Sequence, residues 1–171
     1  MAEEREYVLD RPNRRKSSSK TTKAIVTLLL LVTAALIAVI TIGGWSELEG
    51  MQVVQIGYIV LYVLMAFYVS RWNRGVLPLA AALSILLGIF AAVGGPAWFD
   101  RDTTGFARPH SIFGGTGLAA DFLGLLVLLL IPIQVLLIAF AMQGFRQNWH
   151  VEVEVPADEI PGRRSAAPAA A

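Results

Sequence analysis

The chain has no cysteine, and that one absence removes disulfides, thiolate metal sites and cysteine nucleophiles together. Charge is the next scarcity: Asp, Glu, Lys and Arg make up 16% of the 171 residues, against 56% hydrophobic residues and a mean hydropathy of +0.61. A globular core needs less apolar material than this. The charges crowd at the two ends and in short intervals, so long stretches carry none. Proton relays, ion-coupled transporters and voltage sensors use ionisable groups deep in the membrane. Apart from Asp121 the apolar blocks hold no such group, which argues against a pump or secondary transporter.

What is present is four apolar blocks, over 24–43, 52–70, 76–98 and 118–145. The hydrocarbon slab is roughly 30 Å thick and a helix rises about 1.5 Å per residue, so a span takes about 20 mostly apolar residues. Each block qualifies. The polar members of the first are Thr27, Thr33 and Thr41, whose hydroxyls can bond back to their own helix. The second is the most polar, with Gln52, Gln55, Tyr58, Tyr62 and Tyr68. Helices or strands of a soluble core would show polar residues at helical or alternating period, and these blocks show little of that. The expected fold is all-α, a membrane-spanning bundle of four helices over 23–146, with the lipid bilayer as its solvent.

Lys and Arg favour the cytoplasmic side of a membrane, because positive loops resist translocation. Residues 1–22 with Lys23 hold Arg5, Arg11, Arg14, Arg15, Lys16, Lys20 and Lys23, and the turn between the second and third spans holds Arg71 and Arg74. Arg146, Arg163 and Arg164 follow the fourth span. The loop between the first two spans has Glu47 and Glu49 with no basic residue, and the stretch 99–117 balances Arg101 and Arg108 against Asp100 and Asp102. Both termini are therefore expected in the cytoplasm. Trp45, Trp72, Trp98 and Trp149 fall at or near span ends, where such rings settle at headgroup level. The short loops and the Ala/Gly/Arg-rich vocabulary suggest a bacterial cell membrane.

The first 22 residues lack a sustained apolar face and read as a mobile tail, whose basic residues only set the topology or else hold it on anionic lipid. The C-terminal stretch 147–171 is expected to be largely disordered. Its segment from His150 to Val155 alternates valine with charge, a strand pattern that suits pairing with a partner's sheet edge.

Little hydrophobic drive acts between helices in lipid, so small residues and interhelical hydrogen bonds must hold the bundle. Ala80, Ser84, Gly88 and Ala92 recur at four-residue intervals in the third span. That ridge predicts a central third span packed between the second and fourth, or else a contact with a second copy or another membrane protein. Gln55, Tyr58 and Tyr62 in the second span and Gln134 in the fourth are the polar groups within the membrane. They are candidates for binding a small ligand, with plain interhelical bonding as the alternative. Gln134 also follows Pro132 closely enough to meet a carbonyl freed by a kink. In the outer loop, His110 and Asp121 are candidates for an acid/base pair, although the spacings match no metal signature. Gly114-Gly115-Thr116-Gly117 precedes a helix but lacks the strand and lysine of a phosphate-binding loop, and reads as a flexible entry to the fourth span. Gly94-Gly95-Pro96 reads as the exit from the third.

No metal, cofactor or nucleic-acid partner is expected from these residues. The functional expectation is a non-enzymatic scaffold or accessory subunit of a membrane assembly. A small-molecule or lipid carrier, and an enzyme using the outer loop, are the alternatives.

Overall fold

A computed structural model describes residues 7–102 and 108–156. Four long helices make up most of it: α2 (Ser17–Gly43), α3 (Gln52–Ser70), α4 (Val76–Asp102) and α5 (Ala120–Arg146). Strand β1 (Tyr7–Asp10) and the single turn α1 (Pro12–Arg15) precede them, and strand β2 (Val153–Pro156) follows. All four long helices are long and apolar enough to cross a membrane. In lipid every backbone N–H and C=O must find a partner within the protein, and a helix supplies it locally.

The helices outrun the apolar blocks. Ser17–Thr22, expected in the loose tail, form the first turns of α2, and α4 passes through Gly94-Gly95-Pro96 to Asp102. The double glycine is thus no exit. Gly95 lies where α5 presses closest, and a Cβ there would sit 2.5 Å from Leu128 Cδ2. Pro96 and Pro132 each lie inside a continuous helix, where each removes one backbone donor.

The bundle order in space is α3, α2, α5, α4. α4 packs along most of α5, α5 also packs on α2, and α2 on α3, while α3 and α4 barely touch. The expectation of a central third span held between the second and fourth is therefore corrected: α5 and α2 are the inner pair. Residues Arg71–Gly75 join α3 and α4 at one end only, and a short connection there does not oblige the helices to stay together along their length. The predicted ridge is half right. Ala80 and Ser84 are fully buried and Gly88 approaches Gln134 of α5, but Ala92 is exposed. The buried side of α4 runs instead through Leu77, Ala80, Ser84, Leu87, Ala91 and Trp98. At about 100° per residue, four-residue steps drift by about 40° each, so such a ridge leaves the contact. Alternating three- and four-residue steps stay on it.

The two chain ends meet at one end of the bundle. β1 and β2 pair antiparallel, with Val8 opposite Val155 and Leu9 opposite Glu154. The alternating segment does form a strand, but its partner is this chain's own N-terminal segment rather than another protein's edge. The description of both tails as loose is corrected for residues 7–22 and 147–156. The rest of the expected disordered tail, 157–171 with Arg163 and Arg164, lies outside the described residues.

A two-stranded ribbon is marginal by itself, and side chains from three segments pin this one. Arg11 pairs with Glu152, and Arg15 with Asp10 at 2.6 Å. Asn13 Nδ2 donates to Asn148 O at 3.0 Å, and Arg14 Nε to Trp149 O at 3.1 Å. Partial burial, and then the neighbouring Arg11, lower the Arg14 pKa from its ordinary value. At the centre Trp149 is fully buried, edge-on to Trp72 at 5.3 Å between ring centroids. Lys23 Nζ sits 4.4 Å from the Trp72 ring centroid and donates to Ser70 O. Of the four tryptophans near the helix ends, Trp149 and Trp98 are buried in protein, and Trp45 and Trp72 are half-buried.

Trp72 takes a left-handed conformation, φ 66°, a genuine outlier for a bulky residue. It occupies the position after the C-cap of α3, where the Trp72 N–H bonds Val69 O and the Asn73 N–H bonds Tyr68 O. That double return usually places glycine there. The strain, on the order of 1–3 kcal/mol, is offset by the contacts of the indole with Trp149 and Lys23.

Candidate functional site

Midway along the bundle, four buried polar side chains, one from each long helix, meet. Gln134 of α5 donates through Nε2 to Thr33 Oγ1 of α2 at 3.1 Å and accepts through Oε1 from the Tyr62 hydroxyl of α3 at 3.0 Å. The Ser84 hydroxyl of α4 lies 3.4 Å from that of Tyr62. Each hydroxyl has one proton, and the count closes: Thr33 gives its proton to Leu29 O at 2.8 Å, Ser84 to Ala80 O at 2.7 Å, and Tyr62 to Gln134. Thr33, Tyr62, Ser84 and Gln134 are all 1% exposed or less. Two candidates, Tyr62 and Gln134, thus come together, but each satisfies the other. Gln134 does not turn to a carbonyl freed by Pro132. Sequence alone points to Thr33 only through its bond to its own helix, which it also makes.

Interhelical hydrogen bonds in lipid average about 0.6 kcal/mol and reach about 1.7. Tyr62→Phe and Gln134→Leu are each expected to destabilise the bundle within that range per bond lost. Their double mutant should fall short of the sum, because they share one bond. Titration of folded protein with denaturing detergent measures this, and strict additivity would count against the bond.

Gln55 and Tyr58 go elsewhere. The Gln55 amide meets the hydroxyl of Thr41 on α2. Tyr58 meets Phe90 of α4 edge-on at 6.4 Å between centroids. Both line a cleft of about 250 Å³ where α3 and α4 splay apart. Its floor comes from α2 and α5, where Ile37, Ile40, Val127 and Leu130 are buried, and its rim includes the exposed Val54 and Phe90. Glu47 and Arg101 line it at the loop end, with the Arg101 guanidinium 4.6 Å from the Trp98 ring centroid. Sequence reasoning misses this cleft because it arises from two consecutive helices failing to pack.

The loop end is closed by 109–119. That stretch docks on the C-terminus of α2, whose last carbonyls lack helical partners: Ile42 O accepts from the Ile112 N–H at 3.3 Å and Gly43 O from the Leu118 N–H at 2.9 Å. His110 pairs with Thr116 across the turn at Gly114 and Gly115, where φ is 84° and 78°. The His110 N–H and carbonyl bond Ser46, and Asp121 Oδ1 accepts from the Phe122 N–H at its own helix start. No hydrogen bond or ion pair joins His110 to Asp121 among the described residues, and no three His, Cys, Asp or Glu side chains there gather as a metal site would need. The glycine-rich segment is a docked turn, not a free hinge.

Comparison with known protein families, with curated proteins and with solved structures finds no match to this chain, so four membrane-length helices around a hydrogen-bonded midplane are what describe it.

Proposed function

We propose that this chain is a non-enzymatic scaffold or accessory subunit in a bacterial cell membrane, with both ends on the cytoplasmic side. The observation that carries the reading is the midplane node of Thr33, Tyr62, Ser84 and Gln134. Two of the polar groups that a carrier would turn toward cargo, Tyr62 and Gln134, are bonded to each other and through Gln134 to Thr33, which ties α2, α3 and α5 together with Ser84 of α4 in contact. A bundle of that kind presents fixed surfaces. The paired ends add a folded platform, since β1, α1, the Trp72 turn and β2 hold one another. An enzymatic reading has less support, because His110 and Asp121 are engaged separately.

The test is purification in mild detergent from the native membrane. A stoichiometric protein companion, or a defined homo-oligomer, is expected, and a chain that runs alone as a monomer overturns the reading. The sidedness rests on the basic residues that collect at the end bearing both termini, from Arg11 to Lys23 with Arg71, Arg74 and Arg146, where the Lys/Arg bias favours the cytoplasm. Since the chain has no thiol of its own, an introduced cysteine is unique. Glu49→Cys should react with an impermeant maleimide in intact cells, and Lys20→Cys only after permeabilisation. Reversed labelling would invert the topology.

A further inference from the structure

The cleft between α3 and α4 opens sideways, toward the medium that surrounds the helices, and in a membrane-spanning bundle that medium is lipid. On α4 its lining runs from Leu87 to Arg101, about 21 Å at about 1.5 Å per residue. One leaflet, hydrocarbon and headgroups together, takes up half of roughly 40–45 Å. The cleft therefore runs one leaflet deep, from the midplane to the headgroup level. Toward the midplane end Tyr58 and Phe90 meet edge-on within its lining. At the other end stand two groups of opposite charge, Glu47 from the α2–α3 connection and Arg101 from the end of α4. Between them the walls are nearly all apolar, with the Gln55 amide held by Thr41. Ligand sites are typically about 300–1,000 Å³, apolar with a few placed polar groups. A volume of about 250 Å³ suits one slender chain rather than a ring system or a second helix.

We infer that this cleft binds one acyl chain of a zwitterionic glycerophospholipid from the leaflet opposite the chain ends, with the phosphate met by Arg101 and the ammonium by Glu47. A guanidinium presents its donors in a fixed fork, a geometry that suits a phosphate. Trp98, against which the guanidinium lies, holds that fork at the mouth. A lipid seated here fills the gap that the splayed helices leave and joins α3 to α4. This goes beyond the scaffold reading and does not depend on it, since a bundle with no protein companion would still bind the chain.

Gly94 provides the test. It lines the cleft, and a Cβ there would meet nothing within 4 Å, so Gly94→Leu fills the space without displacing backbone and improves helix propensity. Gly57 on α3 is equally unobstructed but lies outside the cleft, so Gly57→Leu is the matched control. The protein is reconstituted in nanodiscs of phosphatidylethanolamine and phosphatidylglycerol, transferred to mild detergent, and weighed intact by native mass spectrometry. The wild type and Gly57→Leu are expected to retain one lipid, mostly phosphatidylethanolamine, and Gly94→Leu to lose it at least tenfold. Glu47→Gln should abolish the preference for phosphatidylethanolamine, and Arg101→Gln should lower retention of both phospholipids. Should Gly94→Leu misfold, Ala97→Leu at the cleft wall repeats the test. Equal retention in the cleft-filled and control variants overturns the proposal, as does a second copy or another protein protected at Gly94 in place of lipid.

Discussion

Trp149→Ala is expected to unfasten the end of the bundle that carries both termini, at a cost of about 3–5 kcal/mol, the range for truncating a buried tryptophan. The ring is fully buried and is the point where four segments converge. It meets Trp72 edge-on, its Nε1 donates to Gln147 Oε1 at 3.0 Å, and its carbonyl accepts from Arg14. It also fills the space beside Gly144, where a Cβ would come within 3.1 Å of the ring. Removal leaves Trp72 in a strained left-handed conformation without the edge-on contact that helps offset it. Gln147, which also donates to Thr22 at 3.0 Å, loses its indole donor. Hydrogen exchange should therefore rise together in β1, β2 and the Trp72 turn, while the protection of α2–α5 in the membrane stays unchanged. If only the C-terminal strand loosens, the three segments are independent and the shared core at Trp149 is wrong. Trp149→Phe, which keeps an aromatic ring but not the N–H, is expected to recover most of the loss.

Gly117→Ala should have the largest effect at the opposite end. A Cβ at this position would lie 2.1 Å from Gly43 O and 2.7 Å from Pro109 O. Both obstacles are backbone, so no side chain can swing aside. Overpacking commonly costs about 1–3 kcal/mol, and here the loop must leave the end of α2 to admit the methyl group. That breaks the Leu118 N–H bond to Gly43 O and returns α2's last carbonyls to their unpaired state. A protease supplied to that side of the membrane should cut within 109–118 in the variant and not in the wild type. Gly114→Ala should strain its turn, where φ is 84°, but meets nothing in space. Equal effects of the two substitutions would mean that backbone conformation, not the approach to α2, makes glycine necessary.

The spans were legible because they depend on a local quantity, the length of chain free of charge. Their ends were less so: Ser17–Thr22 are polar enough to read as tail, yet helical hydrogen bonds extend α2 through them. Of the polar candidates, Tyr62 and Gln134 could be picked out as the groups lipid would not tolerate unpaired. That they would find each other, with Thr33 and Ser84, depends on helix rotation, which apolar sequence constrains weakly. Gln55 and Tyr58 were chosen for the same reason and turned out to line a cleft whose other charged and aromatic members, Glu47, Phe90, Trp98 and Arg101, carry no signature of their own.

By itself, then, the sequence determined the solvent, the number of crossings and the helical state of each, since the transfer of charge-free stretches into hydrocarbon and the need to satisfy backbone groups there act residue by residue. Only the tertiary structure decided that α5 and α2 form the inner pair, that α3 and α4 stand apart, and that the two tails close on each other. Between helices already in lipid there is almost no hydrophobic drive, so neighbours are selected by backbone approach at a few small residues and by a handful of hydrogen bonds between distant positions.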